Sequence, residues 1–171
     1  MPATGDPFRW RVSVAHIDVS GPFSEFADYN RKMVLLQGAG IELRFGGGAK
    51  QMLRQVGDLI EFDGAASAYC ELLQGPCVDL NLMVMKADSV AVRVERFIES
   101  LAIGAAHEET TLIFPIDRGC TADIAAEKSV SLEPWDLAML SHGAGYLRRP
   151  AASDSTATTV FLATLKLMSG E

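Results

Sequence analysis

The sequence predicts an all-β protein built as a sandwich or a barrel. Short segments that alternate between apolar and polar residues recur along the chain, and a period of two is typical of strands. Turn signals made of Gly, Pro and Asp separate these segments, and no long segment has the apolar period of a helix. The 171 residues fit one domain, or two small fused halves, with a sizeable core.

Composition and charge exclude several classes of partner. Hydrophobic residues make up 49% of the chain and charged residues 22%, which is typical of a globular protein. The formal net charge of -7 gives no basic surface for nucleic acid and disfavours anionic membranes. No apolar run approaches the roughly 20 residues of a membrane helix, and the first residues do not resemble a signal peptide. We therefore expect a cytoplasmic protein without a nucleic-acid or membrane partner.

The cysteines and histidines do not predict a metal centre. The cysteines are Cys70, Cys77 and Cys120, and the histidines are His16, His107 and His142. The cysteine count is odd and no CxxC motif occurs, so we expect reduced structural thiols. The histidines are scattered and form no HxH or HExxH motif, so we predict a protein that needs no metal and no other cofactor.

The first strand is predicted at residues 8–19, where apolar and polar residues alternate. Arg11 and Ser13 lie on its polar face, and Trp10 lies on its apolar face. Residues 23–29 are expected to form a short connection with room for one helical turn. Further strands are predicted at 32–37, 41–45, 51–56 and 59–62, and residues 65–74 are predicted to be a loop with some strand character.

Three consecutive glycines, Gly46 to Gly48, resemble a phosphate-binding loop at first sight. The helix and the lysine pattern of a P-loop are absent, and strands are predicted on both sides. These glycines therefore predict the tip of a β-hairpin.

The central strand of this half is predicted at residues 77–85. Its apolar face carries Val78, Leu80, Leu82 and Val84, and its other face carries Cys77, Asp79, Asn81, Met83 and Met85. A strand with one apolar face and one mixed face fits a barrel wall whose mixed face lines a cavity. In the alternative interpretation, Asp79 and Asn81 face water, as in most antiparallel sheets.

The second half of the chain contains another series of short strands. They are predicted at 89–101, 110–116, 120–126, 130–132, 137–141 and 158–167, with connections at 103–109 and 148–156. A helix is the alternative for residues 89–101. A faint repeat relates VGDLIEFDGA at 56–65 to PWDLAMLSHGAG at 134–145. In each segment an Asp-Leu pair, beginning at Asp58 or Asp136, follows a turn and opens an apolar strand. The repeat favours two related halves.

The glycine pattern of the first half resembles the framework of cupins. Gly38 and Gly40 form a G-x-G hairpin, and Gly57-Asp58 forms the later G-D turn. Most cupins place metal-binding histidines and a glutamate between and after these glycines. Residues 41–45, with the sequence IELRF, contain no histidine, so the chain resembles a cupin without the usual metal site.

Four motifs in order resemble the HutD/Ves family of bacterial proteins. They are WRVS at 10–13, GPFS at 21–24, Arg31 followed by LLQGAG at 35–40, and DLNLM at 79–83. The resemblance covers residues 8–86 closely. Family members usually carry a Pro-Trp-Lys-Asn-Gly-Gly-Gly segment ahead of these motifs, and we expect any pocket wall from that segment to be missing or replaced.

The resemblance implies a bicupin-like β-barrel or sandwich, with two half-barrels in one chain. Residues 1–171 would form a single domain, with an N-terminal half at about 8–100 and a C-terminal half at about 104–170. The resemblance also implies a modulator of histidine utilisation, without an established catalytic activity. Because two-barrel cupins often dimerise, a homodimer is also expected.

The main functional hypothesis is a ligand site inside the N-terminal barrel. Its candidate residues are Arg11, Ser13, Arg31, Asp79, Asn81 and Met83. Arg11 offers a fork of donors for a carboxylate, and Trp10 or Phe23 offers an apolar wall. The expected ligand is a small carboxylate such as urocanate or formylglutamate. In the structural alternative, Arg11 and Asp79 form an ion pair that closes the barrel without a ligand.

Two other functions remain open from the sequence. A metal-independent isomerase or hydrolase would use Asp79 as its general base, although a neighbouring arginine is expected to lower the pKa of that carboxyl. No nucleophile and histidine are spaced as a recognisable pair, so no catalytic residues are assigned. A protein partner is the third hypothesis, and the sequence does not locate its surface.

Overall fold

The computed structural model describes residues 7–124, 128–149 and 156–168, and it contains sixteen β-strands. No helix occurs among these described residues, so the all-β prediction is confirmed. Accordingly, no described segment forms a helix that could cross a membrane. The chain divides into two compact units between Asp88 and Ser89, and each unit is described separately.

Unit 1 contains eight strands in two four-stranded antiparallel sheets. The strands are β1 (Trp10–Ile17), β2 (Gly21–Pro22), β3 (Tyr29–Gln37), β4 (Ile41–Phe45), β5 (Lys50–Leu53), β6 (Leu59–Asp63), β7 (Ala68–Leu72) and β8 (Cys77–Met85). One sheet has the order β1-β8-β3-β6, and the other has the order β2-β7-β4-β5.

Unit 2 also contains eight strands in two four-stranded antiparallel sheets. They are β9 (Ser89–Phe97), β10 (Ser100–Ala105), β11 (Glu109–Pro115), β12 (Cys120–Ile124), β13 (Lys128–Leu132), β14 (Ala138–Leu140), β15 (Gly143–Arg148) and β16 (Thr158–Lys166). The sheet orders are β14-β11-β16-β9 and β10-β15-β12-β13. Adding eight to each strand number of unit 1 reproduces both orders, so the two units share one topology.

The faint sequence repeat marks the same turn in both units. The Asp58 carboxylate accepts a hydrogen bond from the backbone N–H of Gln55 at 3.1 Å, and Asp136 accepts one from Glu133 at 2.9 Å. Each aspartate therefore bonds the residue three positions earlier, which is an aspartate turn that fixes the start of the next strand.

Each unit has an apolar core between its two sheets. In unit 1 the core side chains come from both sheets, and they include Met33, Leu35, Ile41, Leu43, Leu53 and Cys70. In unit 2 the corresponding cluster includes Phe97, Ile103, Ile113, Leu147, Val160 and Leu162. The alternation of apolar residues along these strands is what places them on the inward faces.

Several local predictions differ from the structure. Residues 23–29 contain a turn, closed by the Tyr29 N–H donating to Phe26 O at 3.1 Å, and no helix. The predicted loop at 65–74 contains β7, and the predicted strand at 89–101 is divided into β9 and β10. The glycine tip is confirmed as a hairpin between β4 and β5. Residues 125–127 and 150–155, parts of a predicted strand and a predicted loop, lie outside the described residues.

Candidate functional site

Unit 1 contains an open cavity of about 500 Å³, within the size range of small-molecule sites. All six side chains predicted as site residues line it: Arg11, Ser13, Arg31, Asp79, Asn81 and Met83. The structure therefore brings together residues from the first, third and last strands of the unit.

The register of β8 explains why these residues meet. Ser13 on β1 lies opposite Asn81, and Arg11 on β1 and Arg31 on β3 both lie opposite Met83. Residues directly opposite each other in a sheet point to the same face. Asp79 and Asn81 have exposed fractions of only 1% and 6%. The alternative in which these two side chains face water is therefore wrong.

Asp79 is a buried carboxylic acid without a hydrogen-bond partner. Within the described part of the chain, neither of its oxygens accepts a hydrogen bond. Burial raises the pKa of Asp79 to about 7, and the positive charge of Arg31 lowers that pKa only in part. The expectation that a neighbouring arginine would depress this pKa fails, because desolvation of the charged form outweighs the attraction.

Arg31 is buried beneath aromatic rings, with an exposed fraction of 3%. Its guanidinium carbon lies 4.9 Å from the ring centre of Phe62, 5.3 Å from that of Phe23 and 5.6 Å from that of Phe26. One terminal nitrogen donates to Ser24 O at 3.0 Å. Its Nε has no acceptor among the described residues. One donor of a buried guanidinium is thus left unpaired.

Burial also lowers the pKa of Arg31. Desolvation lowers the pKa of Arg31 to about 10; the Asp79 charge opposes this shift and the Arg11 charge adds to it. At neutral pH Arg31 nevertheless remains a cation. The cavity therefore keeps a positive charge close to the Asp79 carboxyl.

Arg11 supplies the second guanidinium of the cavity. It stacks over the rings of Phe8 and Phe26, at 4.8 Å and 5.4 Å from their centres. A terminal nitrogen lies 4.0 Å from the sulfur of Met83, and its Nε has no described acceptor. The Arg11–Asp79 ion pair of the structural alternative is not formed among the described residues, since Asp79 accepts no hydrogen bond from any of them. The register accounts for this, because Ala15 rather than Arg11 lies opposite Asp79.

Other buried charges of unit 1 are paired. The pairs are Lys32 with Glu61, Asp88 with Arg9, and Glu42 with Arg44 and Lys50. Pairing is the usual condition for burying a charge. The unpaired oxygens of Asp79 and the unpaired Nε of Arg31 depart from it, and both side chains line the cavity.

Two residues that line the cavity were not predicted from the sequence. Phe26 and Cys70 line the cavity beside the predicted Phe23, whereas Trp10 lies on the opposite face of β1 from Arg11. Burial, followed by the negative charges of Asp79 and Cys77, raises the pKa of the Cys70 thiol to about 12. Phe26 lies two residues after the GPFS motif, and this position beside the motif is the feature that could have identified it as a cavity residue.

The cavity does not offer the donor set of a cupin metal centre. His16 lines it, but its side chain is exposed at the end of β1. In residues 7–124, 128–149 and 156–168, no three His, Cys, Asp or Glu side chains come together. These side chains therefore do not fit a resident metal ion.

Two eight-stranded antiparallel units, the first of them with a polar cavity on its inner face, place the protein in the cupin-like class. One cupin neighbour is a Cupin 2 conserved barrel domain protein from Leptotrichia buccalis, with a TM-score of 0.61 and 11% identity over 94% of this chain and 86% of that one. That likeness establishes the fold. The HutD family model matches residues 1–159, and the chain belongs to the HutD family.

Two solved structures and one relative are similar over different spans. A conserved protein of unknown function from Pseudomonas aeruginosa PAO1 is 26% identical, with a TM-score of 0.83, over 95% of this chain and 82% of that one. HutD from Pseudomonas fluorescens SBW25 (formate condition) is 25% identical, with a TM-score of 0.67, over 97% of this chain and 83% of that one.

An uncharacterized 21.2 kDa protein in the hutC 3′ region of Pseudomonas putida is 41% identical over 78 residues. The match spans 46% of this chain and 40% of the length of that relative.

Proposed function

We propose that the cavity of unit 1 binds a small carboxylate. The observation that carries the proposal is the pair of guanidinium groups, Arg11 and Arg31, that line one cavity with their Nε donors unpaired. Guanidinium is a planar donor fork that matches the geometry of a carboxylate. A bound anion would supply acceptors for these donors.

The walls of the cavity fit the same class of ligand. Phe23, Phe26 and Met83 form apolar surfaces, while Ser13 and Asn81 offer polar contacts that can orient a bound molecule. Small-molecule sites generally combine apolar walls with a few placed polar groups. The two guanidiniums also counter the net charge of -7, which would otherwise oppose the approach of an anion.

The pathway proposal rests on family membership. The chain belongs to the HutD family, and a relative lies in the hutC 3′ region. We infer that the protein modulates histidine utilisation by binding an intermediate such as urocanate or formylglutamate. A cytoplasmic location fits this role, and a homodimer stays a prediction that size-exclusion mass measurement tests.

The test is calorimetric titration of urocanate, formylglutamate and glutamate into wild type, Arg11→Met and Arg31→Met. Loss of a charge-assisted bond of about 1.5–3 kcal/mol should weaken binding by roughly 10- to 150-fold in either variant. Arg54→Met is the control, since Arg54 is an exposed arginine of the same unit outside the cavity lining. Equal affinities for all four proteins would remove both arginines from the site.

A second candidate function is general-base catalysis by Asp79. The raised pKa, about 7, favours it, because a base works best when its pKa lies near the operating pH. Such an enzyme would isomerise or hydrolyse a bound carboxylate without a metal. Turnover of a histidine-pathway intermediate by wild type, lost in Asp79→Asn, would establish this function. Binding without turnover would leave the site as a binding module.

A further inference from the structure

The unpaired polar atoms of the cavity are of both kinds, donors and acceptors. Counting partners among the described residues, the buried donors without one are Arg11 Nε and Arg31 Nε. The buried acceptors without partners are both Asp79 oxygens and the Asn81 amide oxygen. A carboxylate alone would satisfy only the donors, and it would leave the acceptors without a hydrogen bond.

The donors and acceptors are separated along β8. Both arginines lie opposite Met83, whereas Asp79 is four residues away on the same face of that strand, roughly 13 Å along its axis. Asn81 lies between them. By backbone position, the arginines therefore belong to the Met83 end of the cavity and the acceptors to the Asp79 end, while the Arg31 guanidinium reaches near enough to Asp79 for the two charges to interact.

We propose that the ligand of this cavity carries an N–H donor at a distance from its carboxylate, and that Asp79 and Asn81 select it by accepting a hydrogen bond from that N–H. This inference rests on the proposed function and adds the chemical class of the ligand. It disfavours simple carboxylates, such as acetate or a fatty acid, because these leave the buried acceptors to water.

The charges around Asp79 are consistent with this assignment. Arg31 faces it from β3, the neutral Cys70 thiol faces the cavity from β7, and Arg11 and the exposed His16 line the cavity from β1. With Asp79 ionised, the two guanidiniums leave one positive charge for a ligand carboxylate. With Asp79 protonated, the carboxyl would become a donor and would favour a second anionic group.

These two arrangements differ in the direction of proton exchange. An N–H donor binds better to the carboxylate, so binding near pH 6 should release protons from Asp79. A ligand that accepts a hydrogen bond at this position would instead hold Asp79 protonated and cause proton uptake near pH 8. The sign of the exchange therefore identifies which group meets Asp79.

The experiment compares two probes that differ in one atom pair. N-formylglutamate carries an amide N–H, and 2-formyloxyglutarate carries an ester oxygen in its place. A planar pair, urocanate and 3-(3-furyl)acrylate, repeats the comparison on a different skeleton. Calorimetry of the full chain at pH 6 and at pH 8, each in two buffers of different ionisation enthalpy, gives both the affinity and the number of protons exchanged.

We expect the N–H probe of at least one pair to bind about tenfold or more tightly than its oxygen analogue, with net proton release at pH 6 when N-formylglutamate binds. In Asp79→Asn that preference should shrink severalfold and the proton release should vanish. Because the wild-type comparison needs no variant, it remains decisive even if Asp79→Asn folds poorly.

Equal affinities within both pairs would overturn the N–H assignment while leaving the carboxylate proposal standing. Proton uptake with tight binding would also overturn it, by showing Asp79 as a donor. Failure of all four probes to bind would overturn the carboxylate proposal and this inference together.

Discussion

The two units share a strand order but differ in what their inner faces bury. The Gly57 N–H donates to Leu35 O at 2.9 Å, and the Trp135 N–H donates to Pro115 O at 2.8 Å, so Leu35 and Pro115 hold equivalent positions. Asp79 lies opposite the first of these and Val160 lies opposite the second.

The same alignment relates further inner positions. Asn81 corresponds to Leu162, because each lies two residues further along its strand, and Arg31 corresponds to Thr111. Unit 1 therefore holds an acid, an amide and a guanidinium where unit 2 holds two aliphatic side chains and a threonine. Both faces of β8 are nevertheless buried.

Unit 2 handles its buried polar groups differently. The Thr111 hydroxyl donates to Gly104 O at 2.7 Å, and the Thr159 hydroxyl donates to the Asp117 carboxylate at 2.7 Å. Thr158 is buried with a hydroxyl that has no described partner, yet that group is neutral. The unpaired charged side chains named above, Asp79, Arg11 and Arg31, thus all line the unit 1 cavity. One scaffold therefore holds a packed core in unit 2 and a polar cavity in unit 1, and burying polar groups without partners is expected to lower stability.

The largest expected effect comes from exchanging the inner side chains. Leu162→Asn should destabilise the protein by about 4–5 kcal/mol, because it removes a fully buried aliphatic group and buries an amide without partners. Asn81→Leu should cost less than about 1 kcal/mol or even stabilise, since the cavity can accept the added volume and an unpaired oxygen is removed. Urea unfolding of both variants measures the difference. Equal losses of unfolding free energy in the two variants would contradict the difference between a packed interior in unit 2 and a polar cavity in unit 1.

The pH dependence of stability gives the next largest effect. The folded pKa of Asp79, about 7, lies above its ordinary value of 3.8. Its protonated form therefore stabilises the fold fully below pH 3.8, and that contribution is lost as the pH rises through 7. A shift of about three units corresponds to on the order of 4 kcal/mol.

Asp79→Asn removes this titration, so its free energy of unfolding should fall less between pH 4 and pH 8 than that of wild type. Urea unfolding at several pH values checks the slope. Parallel pH profiles for the two proteins would show that Asp79 titrates normally.

A smaller effect on stability is expected at the equivalent turns that contain Gly57 and Trp135. Gly57 and Trp135 both have positive φ, 92° and 71°, in the region that favours glycine. Gly57→Ala should cost about 1–2 kcal/mol. Trp135→Gly should change stability by less than about 1 kcal/mol, because relief of backbone strain offsets the lost hydrogen bond from Trp135 Nε1 to Ile116 O. Thermal unfolding measures both. A neutral Gly57→Ala would contradict the shared turn geometry.

Much of this comparison could be predicted from the sequence. Alternation placed Arg11 and Ser13 on one face of β1, and it placed Asp79, Asn81 and Met83 on one face of β8. Alternation fixes the face of a side chain because its period is two. The strand register is a long-range property, so the sequence could not show that Ala15, and not Arg11, lies opposite Asp79.

The charge arrangement and pKa values of the site were harder to predict from the sequence. Arg31 and Lys32 are adjacent cations in the sequence, but neighbours on a strand point to opposite faces. Arg31 points inward beneath Phe62, while Lys32 pairs with Glu61. The pKa of Asp79 depends on how completely the fold excludes water, which no local pattern encodes. The strand β7 was missed because its sequence, AYCEL, is short and lacks β-branched residues.

The most direct test of the account is a crystal structure grown with formylglutamate or urocanate. We predict ligand density in unit 1, with the carboxylate within hydrogen-bond distance of Arg11 or Arg31 and an N–H within hydrogen-bond distance of Asp79. The equivalent positions of unit 2, at Val160 and Leu162, should remain packed without ligand. Density at those positions or only on the outer surface, or an unoccupied unit 1 cavity in a protein that binds the ligand in solution, would contradict the claim that unit 1 holds the binding site.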